Sequence, residues 1–248
     1  MIEVRDLTKG FGPHRILEGV SFRIEKGESA VIIGRSGGGK SILLKHLIGL
    51  LKPDAGEVFI AGQNVAAMNE RELLPVRRKF GMLFQSAALF DSMTVAENVG
   101  FAFRRDRSLP EREVRRKVAE VLEMVDLPGT EDKKPSELSG GMRKRVGLAR
   151  AIIYKPQIVL YDEPTTGLDP IVSDSIDQLI LRVRDRLDVT TVVVTHDMRS
   201  TRRLGQRILM LHDKRIYAVG TPDEIFNSPD PVVRRFIEGV SDPKEHYF

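Results

Sequence analysis

Apolar residues in this chain fall into short unbroken runs separated by stretches of helical period. Ser29-Ala30-Val31-Ile32-Ile33, Phe80-Gly81-Met82-Leu83-Phe84, Ile158-Val159-Leu160-Tyr161 and Thr190-Thr191-Val192-Val193-Val194-Thr195 are too short for helices and read as buried strands. Val20, Phe22 and Ile24 alternate with Ser21, Arg23 and Glu25, the mark of a half-buried strand. Glu57 to Gly62 returns as a strand that pairs with this N-terminal β region, and Ile208–Leu211 and Ile216–Val219 form a hairpin around Asp213-Lys214. Between the runs the period is that of a helix. Ile42 to Leu51 is one helix, stopped by Pro53. The pattern from about 88 to 152 is helical, with Val114, Val118, Val121, Leu122 and Val125 on one face of a helix that starts at Pro110 and ends at Pro128-Gly129. Ile176, Leu179, Ile180 and Val183 mark a later helix, and Thr221 starts another.

Chemistry collects where the strands end. The first buried run leads into Gly34-Arg35-Ser36-Gly37-Gly38-Gly39-Lys40-Ser41, which has the form G-x-x-x-x-G-K-[ST]. Glycines let such a loop curl its N–H groups around one anion, and the next helix adds its positive end. Lys40 would meet the terminal phosphates of a nucleoside triphosphate and Ser41 would ligate Mg²⁺. The second run ends at Gln85, the third at Asp162-Glu163 and the fourth at His196. Polar groups at carboxyl strand ends are where α/β sheets meet ligands. Two acids there are costly unless they serve a cation or a reaction. Asp162 suits a Mg²⁺-associated carboxylate and Glu163 a group that polarises water. His196 taken alone is open to a structural or a catalytic reading.

Ser139-Gly140-Gly141 opens the helix read as Arg143 to Tyr154, either as a simple cap or as a second anion site of the same physical type. Phe11, between Gly10 and Gly12, reads as a loop aromatic that either packs locally or stacks on a base. Arg143-Lys144-Arg145, just after Ser139-Gly140-Gly141, is weak evidence for nucleic acid. Net charge, +4 from 39 basic and 35 acidic residues, adds little to it. The chain is 41% hydrophobic and 30% charged, so it is globular rather than disordered. It has no cysteine, which excludes disulfides and thiolate metal sites. Met1-Ile2-Glu3-Val4-Arg5-Asp6 is no signal peptide, and no apolar run approaches the ~18 residues of a membrane span. The expectation is a soluble protein whose membrane role comes through a partner.

Taken in order, these motifs resemble the ATP-binding subunit of an ABC transporter over nearly the whole chain. The resemblance implies an α/β fold, a P-loop NTPase with a RecA-like core, an antiparallel β subdomain and an α-helical subdomain. It implies a single nucleotide-binding domain over 1–248, with core and β subdomain at about 1–87 and 153–227, helical subdomain at about 88–152, and a short C-terminal helix and tail at 228–248. Phe11 is then the adenine-stacking aromatic, and Gly34, Arg35, Ser36, Gly37, Gly38, Gly39, Lys40, Ser41 and Ile42 form the phosphate loop. Gln85 is the Q-loop, Leu138 to Met142 the signature with Ser139, Gly140 and Gly141, Asp162 the Walker B acid and Glu163 the catalytic base. Asp169 lies in the D-loop and His196 is the switch histidine. Mg²⁺ would be held by Ser41, Gln85 and Asp162.

A finer resemblance is to the lipid-transport ATPases of the Mla/Mce type, carried by Gly34-Arg35-Ser36-Gly37, Lys40-Ser41-Ile42, Gly49 to Asp54, Met82 to Phe90 and Ser139 to Val146. Ile42 and Met142 depart from the broad ABC pattern, where a hydroxyl and a glutamine are usual; both fit the Mla/Mce type. The resemblance implies ATP and Mg²⁺, a homodimer sandwiching ATP, a membrane permease docking on about Ser86 to Asn98, an Mce-domain lipid-binding partner, no nucleic acid, and a place on the cytoplasmic face of the inner membrane. Another ABC importer or exporter, or a non-transport ABC ATPase, is the alternative. The latter would carry long coiled coils or a second cassette, and neither is present in the sequence.

Overall fold

The computed structural model describes residues 1–106 and 108–241. These form two compact units: Met1–Met68 with Val194 onward, and Asn69–Val193. The C-terminal stretch Asp242 to Phe248 lies outside the described residues.

The first unit opens with β1 (Ile2–Phe11), β2 (His14–Ile24), β3 (Ser29–Gly34), α1 (Lys40–Leu47), β4 (Ala55–Ile60) and β5 (Gln63–Asn64). The second contains α2 (Glu70–Arg77), β6 (Phe80–Leu83), α3 (Val95–Asp106), α4 (Glu111–Met124), α5 (Gly140–Ile152), β7 (Ile158–Asp162), α6 (Pro170–Leu187) and most of β8 (Thr190–Thr195). The chain then returns to the first unit with α7 (Met198–Leu204), β9 (Arg207–His212), β10 (Arg215–Gly220), α8 (Pro222–Phe226) and α9 (Pro231–Glu238).

In the first unit an antiparallel sheet runs in the order β2-β1-β4-β5. Its β2 keeps the predicted alternation, with Val20, Phe22 and Ile24 buried and Ser21 and Arg23 exposed. Beside it β3 pairs in parallel with β9, from Ala30 opposite Arg207 to Gly34 opposite Leu211, and β9 pairs antiparallel with β10. Every residue of β3 is buried, as a parallel strand covered on both faces must be. In the second unit β8, β7 and β6 lie side by side, β6 parallel to β7, and α5 packs against β6 and against α3, α4 and α6.

Two helices end earlier than the prolines predict. α1 stops at Leu47, not Leu51, because Gly49 enters the left-handed region at φ +66°. The Gly49 N–H then donates to the His46 carbonyl and Leu50 N–H to Lys45 at 2.8 Å, which satisfies the orphan carbonyls of the last turn. α4 ends at Met124 in the same way, with Asp126 at φ +59° and Leu127 N–H on the Leu122 carbonyl. Pro53 and Pro128-Gly129 therefore follow the stops and do not make them. α5 begins at Gly140, three residues before the predicted start, because Ser139 caps it directly. Phe11 is not in a loop: it closes β1, opposite His14 across a tight hairpin. Sequence periodicity missed α2, which Asn69 and Glu72 start with a capping box, and the short α7.

Tyr161 is a buried polar oddity. It is 0% exposed on β7, and its hydroxyl finds no hydrogen-bond partner among the described residues. Burial pushes its phenol well above the usual range. An unpaired buried hydroxyl costs about 1–3 kcal/mol. Tyr161→Phe is therefore expected to raise the melting temperature by about 2–4 °C per kcal/mol gained. A lower melting temperature would show that the hydroxyl is satisfied in solution.

Candidate functional site

In the first unit the loop from β3 to α1 is shaped by close approach. A Cβ on Gly34 would stand 2.5 Å from the Leu211 carbonyl of β9. Gly39 sits at φ +98° with Ile16 and Leu17 side chains 3.0 Å from where its Cβ would be, so only glycine turns the chain into α1 here. No side chain caps α1 and its first turn holds no acid. Its positive end is thus left to an anion. Lys40 is buried, and its ammonium donates to the carbonyls of Gly34 (2.7 Å) and Arg35 (2.9 Å). The loop therefore holds its own cation against its curl. Arg35, Ser36 and Gly37 are exposed at the tip, while Ser41 and Ile42 are half-buried on α1. A pocket of about 280 Å³ lies against this tip, between Arg15, Ile16 and the β9–β10 turn.

Phe11 and His196 belong to the same unit. The Phe11 ring is 47% exposed, so it is not packed into the fold, and the Lys9 ammonium stands 5.4 Å from its centroid. His196 is exposed in the turn from β8 to α7. That turn is fixed on both sides: Asp197 N–H donates to Thr195 Oγ1 at 3.0 Å, and Asp197 Oδ1 accepts the N–H groups of Arg199 and Ser200.

In the second unit β7 delivers Asp162 and Glu163, both buried. Glu163 is held in the left-handed region at φ +49°, a conformation that costs a non-glycine residue about 1–3 kcal/mol and gathers at functional sites. Thr166 Oγ1 donates to Glu163 Oε2 at 3.1 Å, and the Thr166 N–H reaches the Glu163 carbonyl at 3.3 Å. Gln85 is exposed just past β6. Ser139 caps α5, its Oγ accepting the Met142 N–H at 3.3 Å, and no acid occupies the first turn. Gly141 has a packing reason to be glycine: its Cβ would lie 2.6 Å from Val172 of α6. Asp169 caps α6, accepting the N–H groups of Ile171 and Val172 at 3.0 Å.

The basic triplet of α5 is split by depth: Arg143 is exposed, Arg145 half-buried and Lys144 buried. Arg143 donates to the Leu138 carbonyl at 2.7 Å, and Arg145 to the Val125 carbonyl, Asp126 and Ser175. Lys144 is buried, its ammonium on the carbonyls of Gln85 (2.6 Å) and Glu163 (3.0 Å). Desolvation lowers its pKa to about 8, with Glu163 and Asp162 pulling it upward. These bonds tie the triplet to the fold. They were legible in part: Gly141, Lys144 and Leu148 recur at i, i+3 and i+7, which sets Lys144 on the buried face. Thr166 carried no such signal.

Ser41 in the first unit offers a hydroxyl, and Gln85 and Asp162 in the second an amide and a carboxylate, each a donor type that a hard divalent cation accepts. Among the described residues no three His, Asp or Glu converge as a protein cage. A magnesium ion held chiefly by substrate phosphates and water needs none.

The sequence model of the ABC transporter family matches residues 17–166, more than half of the chain. Among curated proteins, the chain is 44% identical over 238 residues to the "probable ribonucleotide transport ATP-binding protein mkl" of Mycobacterium leprae, covering 96% of this chain and 69% of that one. It is 40% identical over 242 residues to the "intermembrane phospholipid transport system ATP-binding protein MlaF" of Haemophilus influenzae, covering 98% of this chain and 92% of the relative. Against the Mycobacterium tuberculosis counterpart of mkl the share of the relative covered falls to 66%. Among solved structures, the dimeric cassette MJ0796 in a post-hydrolysis state with ADP and Pi superposes with a TM-score of 0.82 at 34% identity, over 90% of this chain and 99% of that one. A glycine loop holding its own lysine, a capped Ser-Gly-Gly helix and a buried Asp-Glu pair thus occur in a chain with the sequence and fold of these cassettes, and the chain belongs to the ABC transporter family as an ATP-binding, ATP-hydrolysing cassette.

Proposed function

We propose that the chain energises phospholipid transport between membranes of a cell envelope, as the ATPase subunit of a permease complex. One observation carries the reading toward lipid: the match to the phospholipid-transport relative runs through 98% of this chain and 92% of that protein, nearly end to end on both. The mkl name favours a second reading, ribonucleotide transport, at slightly higher identity over about two thirds of that relative.

The cassette has two anion-ready helix ends, α1 and α5. A monomeric ATPase would use one. A homodimer uses both, with ATP lying on the phosphate loop of one protomer under the Ser139-Gly140-Gly141 helix end of its partner. The dimeric MJ0796 cassette supports a homodimer. Phe11 stacks on adenine. Gly34 to Ile42 cradle the phosphates, and Lys40 neutralises their charge. Ser41, Gln85 and Asp162 would hold magnesium, which would supply further charge neutralisation. Glu163 accepts a hydrogen bond from the attacking water, and His196 contacts the γ-phosphate. Asp169 faces the partner through the D-loop. The segment from Ser86 to Asn98 docks the permease. Buried Asn98 organises it, accepting the Phe90 N–H at 2.8 Å and donating to the carbonyls of Phe90, Met93 and Thr94. The helical part spans about 88–152 and the core 1–87 and 153–227. Among the described residues no helix is long and apolar enough to cross a membrane. The permease holds the cassette at the cytoplasmic face of the inner membrane, and an Mce-domain lipid-binding protein joins the complex.

The test is a tagged chain purified from membranes with its bound proteins and rebuilt in liposomes. ATP-dependent transfer of a fluorescent phospholipid, with an Mce-domain protein in the complex, is expected. ATP-dependent ribonucleotide uptake instead would move the assignment to the second reading.

A further inference from the structure

The proposed dimer leaves one matter to the chain itself. In each protomer the α5 end serves the partner's ATP while Glu163 serves its own, so something must tie α5 to Glu163. The structure holds such a tie. Lys144 lies five residues into α5 from Ser139, about 7–8 Å along the axis at 1.5 Å per residue. Its one ammonium meets two carbonyls from two different segments, Gln85 after β6 (2.6 Å) and Glu163 after β7 (3.0 Å). Six residues on, the Arg150 guanidinium of the same helix donates to the Ala87 and Ala88 carbonyls, both at 2.7 Å. Ala87 and Ala88 are at φ +60° and +46°, so the backbone after Gln85 is held in a conformation that alanine disfavours. Glu163, also left-handed, has its carbonyl held by Lys144 and the Thr166 N–H. α5 thus grips the Gln85 segment at two points and the Glu163 peptide at one.

We propose that Lys144 is a positioning residue that couples the two ATP sites of the dimer. When α5 seats on the partner's nucleotide, the ammonium carries that displacement to the Glu163 peptide and to Gln85 of its own protomer. A cation suits this place because three N–H donors can serve two convergent carbonyls at once, and because charged hydrogen bonds are about twice as strong as neutral ones. Packing alone does not need the charge: methionine would fill the same volume without donors.

This inference rests on the sandwich dimer and on Glu163 as base, and the experiment separates the two. ATP hydrolysis by the full chain is measured against ATP concentration for wild type, Lys144→Met and Lys144→Arg, with melting temperature and nucleotide affinity for each. Wild type is expected to be cooperative, with a Hill coefficient between 1 and the limit of about 2 that two sites allow. Lys144→Met should lower turnover about tenfold or more, leave ATP affinity within about threefold, and bring the Hill coefficient to 1. Lys144→Arg, which keeps a multivalent cation, should recover most of the turnover and the cooperativity. Should Lys144→Met fail to fold, Lys144→Leu, which likewise has no donor, is read by the same criteria. A wild-type Hill coefficient of 1 overturns the coupling, as does a Met or Leu variant that keeps wild-type turnover and cooperativity. Failure of the sandwich itself shows elsewhere, as a Glu163→Gln chain that does not dimerise on ATP while Lys144 is intact.

Discussion

Glu163→Gln is expected to lower ATP turnover by about 10²–10⁴-fold, the usual contribution of a positioned general base. The substitution keeps size and shape. It keeps a carbonyl oxygen able to accept the Thr166 hydroxyl that now reaches Oε2 at 3.1 Å. It leaves untouched the main-chain bonds from Lys144 and Thr166 that hold the left-handed peptide. What it removes is the negative charge that the proposed base would use to orient and polarise water. Binding should persist, because the phosphate loop and Lys40 are unchanged. The expected pair of results is a slow enzyme with wild-type ATP affinity, and a dimer that accumulates with ATP while the nucleotide-free chain sediments mainly as monomer. Steady-state hydrolysis and sedimentation with and without ATP check both. Wild-type turnover in this variant would remove Glu163 from the role of base. A stable dimer without ATP would show that contacts other than the nucleotide hold the protomers together.

Gly56→Ala should destabilise the fold by about 3–5 kcal/mol, among the largest effects expected of a single methyl group. Gly56 lies at φ +89°, where an L residue is strained, and its Cβ would stand 2.4 Å from the Asp6 carbonyl and 2.5 Å from that of Arg5. Both obstacles are backbone, so no rotamer relieves them. Nor can β4 recede, since the segment is pinned just upstream. Asp54 N–H donates to the Thr8 carbonyl at 2.9 Å, and the Asp54 carboxylate takes the Lys9 ammonium and the Gly10 N–H at 2.7 Å. The position faces the irregularity between Arg5 and Thr8 in the β1–β4 ladder, so glycine fits the bulge. At about 2–4 °C per kcal/mol for a chain of this size, the melting temperature should fall by roughly 10 °C. A fall of less than about 2 °C would show that the bulge relaxes around a methyl group.

The strands and the strand-end residues were readable because their signals are local. β3, β7 and β8 are unbroken apolar runs, and a strand buried on both faces needs no other mark. The glycine loop was marked by its G-x-x-x-x-G-K-[ST] form, and Gln85, Asp162-Glu163 and His196 by their places at strand ends. Helix ends were harder. Pro53 and Pro128 looked like stops, yet left-handed residues, Gly49 and Asp126, end α1 and α4 first. Asp126 in particular has a side chain that gives no strong signal for that conformation, and its carboxylate is instead taken by Arg145 and Arg182.

The sequence by itself determined the order of elements, the phosphate loop with Lys40 and Ser41, the acidic strand end and the capped Ser-Gly-Gly helix, because each depends on residues adjacent along the chain. Only the tertiary structure decided what depends on distant segments meeting. Gly34 is glycine because β9 passes behind it, and Gly141 because Val172 does. Arg143-Lys144-Arg145 reads as three like cations in a row, yet in space Arg143 is exposed and Lys144 is an internal anchor. Lys144 joins carbonyls 59 and 19 residues away, and no periodicity reports where a buried ammonium finds its acceptors.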